Sequence, residues 1–285
     1  VVWEVRSQSP LLEIRFFRNP RFSAASATTA MAFFGLFGFI FMITLYFQIV
    51  IGWDALTAGL ATLPYALIMG AMSPLAMVLT SRLGTKLLVG GGMAVSAAGF
   101  LLASRAQTDS PYWTFIVPCM ALMAAGMGLA TGPATDAILA ALPAAKSGVG
   151  SAVNDTTREV GGALGVAVVG SVMSSWYADR LTELWTPLQV PRDVLGAAKD
   201  SVGAAMSISK QLPAAVSSPA ISAVGDAFME GLRVGCYVVA AACLLASIAA
   251  FLFLPAHDRP DPEGRHTGHP QARTPQSDRP AAADG

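Results

Sequence analysis

The chain has 285 residues, and eighteen basic side chains balance eighteen acidic ones, which leaves no electrostatic argument for nucleic-acid binding. Only 13% of the residues are charged against about 25% in soluble domains, while 54% are hydrophobic and the mean hydropathy is +0.55. That balance excludes an ordinary soluble domain, because the excess apolar surface has to face lipid.

An apolar stub, Val1-Val2-Trp3, precedes a polar segment at residues 4–21 that carries Arg6, Arg15, Arg18 and Arg21. No secretory signal is present there. The stub reads as the end of an earlier span, and the sequence as the C-terminal portion of a longer protein. Thirty-two residues without a charge then separate Arg21 from Asp54, and five comparable runs of at least eighteen residues follow. A helix needs about 20 apolar residues to cross the hydrocarbon core. Six such runs predict an all-α membrane protein, a bundle of six transmembrane helices.

The first span is predicted from Phe22 to about Ile51, the second over Leu56–Thr80 with Pro64 and Pro74, and the third over Leu87–Ser104. The fourth runs from Tyr112 to about Leu142, interrupted at Gly132-Pro133. The fifth covers about Val149–Tyr177 and the sixth Phe228–Leu254. Between these two lies a polar connection, 178–226, with Pro187, Pro191, Pro213 and Pro219, in which Asp193–Gln211 suits a surface amphipathic helix. Residues 256–285, rich in Pro, Arg and Asp, suit a disordered tail. Residues 22–255 are thus the bundle, and residues 1–21 lead into it.

Basic residues in short flanks set orientation. Eleven of them (Arg6, Arg15, Arg18, Arg21, Arg82, Lys86, Lys146, Arg259, Arg265, Arg273 and Arg279) fall on the side of the termini. Five (Arg105, Arg180, Arg192, Lys199, Lys210) fall on the other, where acidic neighbours balance most of them. Both ends of the segment are therefore expected in the cytoplasm and the 178–226 connection outside.

Charge intrudes on the spans at few places. Ser81-Arg82-Leu83-Gly84-Thr85-Lys86 forms a short basic hinge; an ordinary positive-inside loop explains it equally well. Gly126 and Gly128, then Gly132-Pro133, offer close helix packing or bending ahead of Asp136. In the fifth span Gly161, Gly162 and Gly165 supply a small-residue seam, and Asn154 and Arg158 share a face at i, i+4. Asp136 lies ten residues before Lys146 and Arg158 twelve after it. Those spacings correspond to about 15 and 18 Å of helix axis, so an Asp136–Arg158 ion pair is within reach. The alternative places Asp155, Arg158 and Glu159 in the headgroup zone. Tyr46, Gln48, Tyr65, Met69 and Met72 are candidates to line a cavity for lipophilic ligands, although lipid contact or packing accounts for each as readily. Glu230 and Arg233 suit an interfacial pair. Cys119, Cys236 and Cys243 match no metal or redox spacing and read as buried thiols. All three histidines lie in the tail, no catalytic or nucleotide-binding motif occurs, and no cofactor or metal is expected.

The stretch Ser9-Pro-Leu-Leu-Glu-Ile-Arg-Phe-Phe-Arg-Asn-Pro-Arg-Phe22 resembles the lead-in to the ninth span of the fourteen-span drug:proton antiporters of the major facilitator superfamily. Gly148 to Gly170 is similar to their thirteenth span, and Arg82, Gly84 and Lys86 resemble the superfamily's loop motif. That motif is degenerate here, with Ser81 where an acidic residue is usual and Met77 where glycine is usual. The resemblance extends to about residue 255. It implies that the six spans are spans nine to fourteen of an exporter in the plasma membrane. Its partners would be protons, a small lipophilic or cationic substrate, the lipid bilayer and an N-terminal half. The acidic residue of the first span and the Gly-Pro motif of the fifth would belong to that half. Export of a specific metabolite, or a non-transport role as a sensor or assembly partner, are the alternatives.

Overall fold

The computed structural model describes residues 17–142, 146–188, 190 and 192–255. The expected lead-in before Phe17, the turn residues Pro143 to Ala145 and the tail after Pro255 lie outside the described residues. The first span is α1 (Pro20–Leu45), closed by a wider turn at Tyr46–Val50. Asn19-Pro20 starts it: the Asn19 side chain accepts from the Arg21 N–H, and Pro20 occupies a position that needs no donor.

The second span is split into α2 (Ala55–Ala61) and α3 (Leu63–Leu83). Pro64 cannot donate to Leu60, so the chain bends at Thr62, whose hydroxyl caps the Gly59 carbonyl at 2.7 Å. Gly84, at φ 82°, reverses the chain directly into α4 (Thr85–Ala103). A side chain there would clash with the backbone, so this one-residue link depends on glycine.

A wide turn at Tyr112–Ile116 opens the fourth span, which continues as α5 (Val117–Ala140). The expected interruption at Gly132-Pro133 does not occur: α5 runs through Pro133, which is buried within it. Pro133 leaves the Leu129 carbonyl without its helical donor, which a membrane helix packed among neighbours tolerates; the Thr135 hydroxyl donates to the Thr131 carbonyl one turn back.

The fifth and sixth spans depart furthest from expectation. Helix α6 (Ser147–Trp185) and α9 (Ala214–Phe253) are each about 60 Å long, twice the hydrocarbon thickness. Most of the predicted 178–226 loop is therefore helix. The physical reason is a buried stripe at helical spacing, Tyr177, Leu181 and Trp185, which faces Ala220, Val224 and Ala227 of α9. Trp185 donates its indole N–H to the Ala220 carbonyl at 3.4 Å. The polar residues that suggested a loop lie on the outer face, where Arg180 pairs with Glu183 at 2.7 Å. The amphipathic segment is two helices, α7 (Arg192–Asp200) and α8 (Val202–Gln211), because Ser201 breaks it by capping α8. Tyr177 anchors α7 by donating to the Ala198 carbonyl at 3.0 Å.

Helix α9 packs against α1, α4 and α6, and α5 against α1, α3 and α4. Helix α3 is peripheral: only Tyr65 and Ala76 are buried along it. Two hydroxyls tie the interior helices to one another. Ser96 on α4 donates to the Met123 carbonyl of α5 at 3.1 Å, and Ser247 on α9 donates to the Gly90 carbonyl of α4 at 2.7 Å.

Candidate functional site

Helices α1 and α6 run parallel and in direct backbone contact. A Cβ placed on Gly161 would strike the Ala30 carbonyl oxygen, and one on Gly165 the Phe34 carbonyl oxygen. The Gly161-x-x-x-Gly165 seam therefore packs on Ala30-x-x-x-Phe34, one turn per step. Gly162 instead faces the Phe37 ring. On α5, Gly126 meets Gly92 and Ser96 of α4, while Gly128 meets Met69 and Met72 of α3. Gly132 has only the Met77 sulfur nearby, at 3.3 Å. Met69 and Met72 thus take part in the α3–α5 contact.

That seam holds α6 so that Arg158, one turn before Gly162, turns inward between α1 and α5. Its Nη2 donates to the Thr135 hydroxyl at 2.9 Å, and its guanidinium lies 5.0 Å from the centre of the Phe33 ring. Thr135 accepts from Arg158 while donating to Thr131, so the three groups form one directed chain. On α5 the hydrogen-bond partner of Arg158 is thus Thr135, the neighbour of Asp136. The depth estimate holds, but one residue along a helix is about 100° of rotation, and Asp136 is exposed. A hydroxyl and a ring face compensate a cation less fully than a carboxylate does.

Polar atoms without partners collect on the same helices. Arg158 Nε, Asn154 Oδ1 and the hydroxyls of Ser26, Thr28 and Thr29 are all buried and make no hydrogen bond. Ser26 precedes Ala30 by one turn and Asn154 precedes Gly161 by two, so both lie on the α1–α6 seam toward its N-terminal end. Unpaired buried polar groups each cost about 1–3 kcal/mol, which marks this end of the seam as strained or solvated. Asp155 and Glu159, one turn apart, are exposed on the flank of α6 beside Arg158. Phe33, Thr135 and the α1 hydroxyls escaped notice in the sequence because they are ordinary residues of an apolar run. Only their placement opposite Arg158 distinguishes them.

The remaining candidates disperse. Arg82 is exposed in the last turn of α3, where a cation complements the helix end, and Lys86 is half-buried in the first turn of α4. Gln48 is exposed. Tyr46 is buried and donates to the Gln107 carbonyl at 3.3 Å, while Tyr65 stacks on Phe39 at 4.5 Å. Tyr46 and Phe39 line a half-open apolar cavity of about 40 Å³ between α1, α4, α5 and α9. Drug-sized ligands need pockets of about 300–1,000 Å³, so this is no drug site. Glu230 and Arg233 do pair, at 2.9 Å, but sixteen residues into α9 rather than at its start.

Six helices among the described residues are long and apolar enough to cross a membrane. With the glycine seams and the half-buried, inward-turned arginine, this is a multi-pass helical membrane protein built by close backbone approach. Residues 4–166 match the Major Facilitator Superfamily, and the chain belongs to it. It is 32% identical over 245 residues to the multidrug efflux pump LfrA of Mycolicibacterium smegmatis, covering 86% of this chain and 47% of that protein. It is 26% identical over 251 residues to the methyl viologen resistance protein SmvA of Salmonella typhimurium (88% of this chain, 50% of the relative). A third relative, the tetracenomycin C resistance and export protein of Streptomyces glaucescens, is 28% identical over 257 residues (88% and 47%). The chain spans about half the length of these curated relatives. It is a transporter-family protein related to multidrug efflux pumps, not an enzyme.

Proposed function

We propose that the chain is the C-terminal, six-span half of a proton-coupled exporter of small lipophilic or cationic compounds in the plasma membrane. The observation that carries this reading is the exposed pair Asp155 and Glu159, about 12 and 18 Å along α6 from Ser147. A charged side chain within a bilayer costs about 2.5–3.5 kcal/mol and is normally turned toward the bundle or a watered path. Here the carboxylates are exposed, which suits contact with a second bundle or an aqueous route; seating in the headgroup zone is the alternative. The half-length match to efflux relatives and the exposed α3 support such a second bundle. Asp155 and Glu159 would then attract cations or protons where the halves meet. Arg158, held on the inner face, would tie α6 to α1 and α5 as the halves rock. Both ends of the segment would face the cytoplasm, with the α7–α8 cap outside, in line with the basic-residue asymmetry.

The test is efflux of a lipophilic cationic dye from cells expressing the whole protein. Loss of efflux on adding an uncoupler supports the proposal. Efflux that persists at full rate without a proton gradient overturns the coupling. Absence of export across a broad panel of compounds favours a sensor or assembly role, and export confined to one metabolite favours a specific exporter.

A further inference from the structure

The half-open apolar cavity between α1, α4, α5 and α9 has an unusual lining. Five of its residues carry sulfur: Met42 on α1, Cys119, Met120 and Met123 on α5, and Cys236 on α9. Phe39, Ile43, Phe100 and Leu232 are among the rest, and no oxygen or nitrogen surface contributes. All five sulfur residues are buried, and neither cysteine is in a disulfide. The third thiol, Cys243, is also buried but does not line the cavity.

Size and chemistry together narrow the occupant. A volume of about 40 Å³ suits something the size of a single atom; a benzene-binding cavity is about 150 Å³. Water needs 2–4 polar partners, and this lining supplies none. Hard cations need oxygen ligands and are excluded on the same ground. Thiolate and thioether sulfur, by contrast, select soft cations such as Cu(I). No group of three or more His, Cys, Asp or Glu suited to a metal exists among the described residues, so thioethers have to complete the set.

We propose that this cavity is a binding site for one soft monovalent d10 cation, Cu(I) or its redox-inert analogue Ag(I). One cysteine thiol loses its proton to water as its sulfur bonds the metal, so the complex is neutral and suits an apolar interior. The second thiol and the methionine sulfurs donate lone pairs and stay uncharged. The entry route is the turn between α4 and α5. Ala106 of that turn lines the cavity, and the Tyr46 hydroxyl donates to the carbonyl of the adjacent Gln107. The bound ion ties α1, α5 and α9 together at a point remote from Arg158, so the site is independent of the transport reading.

The experiment is Ag(I) titration of the whole purified protein in detergent against a competing chelator, with the bound equivalents counted by elemental analysis. The wild type and Cys243→Ser are expected to differ by no equivalent, whereas Cys119→Ser/Cys236→Ser loses one. Met120→Leu/Met123→Leu conserves the cavity's volume and keeps both thiols. It is expected to retain the equivalent with affinity at least about tenfold weaker, which covers the case in which the cysteine variant does not fold. Equal Ag(I) binding by wild type and either double variant overturns the proposal. So does loss of the equivalent in Cys243→Ser.

Discussion

Glycine-to-alanine substitutions along α6 make a graded test of the seam, because four positions on one helix offer three environments for the same methyl group. At Gly148 the added Cβ meets nothing within 4 Å, and at Gly170 it reaches the Phe41 ring at 3.4 Å, an ordinary contact. At Gly161 and Gly165 it collides with the carbonyl oxygens of Ala30 and Phe34, and no rotamer change relieves a clash with backbone. Alanine is better than glycine in a helix interior by about 1 kcal/mol, and overpacking costs about 1–3 kcal/mol. Gly148→Ala and Gly170→Ala are therefore expected to be neutral or stabilising by up to about 1 kcal/mol. Gly161→Ala and Gly165→Ala are expected to be destabilising by up to about 2 kcal/mol each, once the propensity gain is subtracted. Because the two are one turn apart on the same contact, their double variant should cost less than the sum: the first substitution already parts the helices. Unfolding of the detergent-solubilised protein in a denaturant, followed by circular dichroism, reads the series. If Gly161→Ala and Gly148→Ala fall within about 0.5 kcal/mol of each other, α1 and α6 do not meet backbone to backbone.

Thr135→Val removes the acceptor of Arg158 and is expected to destabilise by about 1–3 kcal/mol, while Thr135→Ser keeps the hydroxyl and stays near wild type; denaturant unfolding separates the two. Trp185→Ala leaves a void where α6 meets α9 and removes the bond to the Ala220 carbonyl. It should cost about 3–5 kcal/mol, with faster amide exchange in α7 and α8 than in α4 or α5. Asp155→Asn/Glu159→Gln alters exposed groups only, so dye efflux by the whole protein should fall with little change in the unfolding midpoint. A midpoint shift as large as that of Thr135→Val would assign these residues to packing instead. Ser247→Ala removes the α9-to-α4 hydrogen bond at the cost of about 0.6 kcal/mol, typical for one such bond between membrane helices.

Charge-free runs located all six spans, because lipid imposes a length and a polarity that sequence displays directly. Boundaries set by partners were less legible. Residues 178–188 look like a loop by composition, yet Leu181 and Trp185 continue the stripe begun at Tyr177, and a polar outer face at helical spacing is what a helix leaving the bilayer should have. Pro133 looks like a break, but the helix survives where it is buried among the neighbouring helices of the bundle. For the charged cluster, counting residues from the turn gave the right depth for Arg158. Whether it faced Thr135 or Asp136 depended on azimuth, which a spacing argument carries over two helices with an error larger than one residue. The glycine seam was readable as a seam, and its partner strip on α1 was not, since Ala30 and Phe34 carry no mark of their own. Cys119 and Cys236 were identified as buried, but nothing in a separation of more than a hundred residues announces that they share a cavity.

The two 60 Å helices also act as levers. With about 30 Å of each fixed in the hydrocarbon core, a tilt of about 5° in the membrane moves the far end by about 5 Å. Tyr177 and Trp185 lock α7 and α9 to α6, so the cap travels with that tilt rather than averaging it away. A small reorientation of the membrane bundle thus reaches the aqueous side magnified, at a surface where an antibody fragment or a spectroscopic label can read it without entering the bilayer.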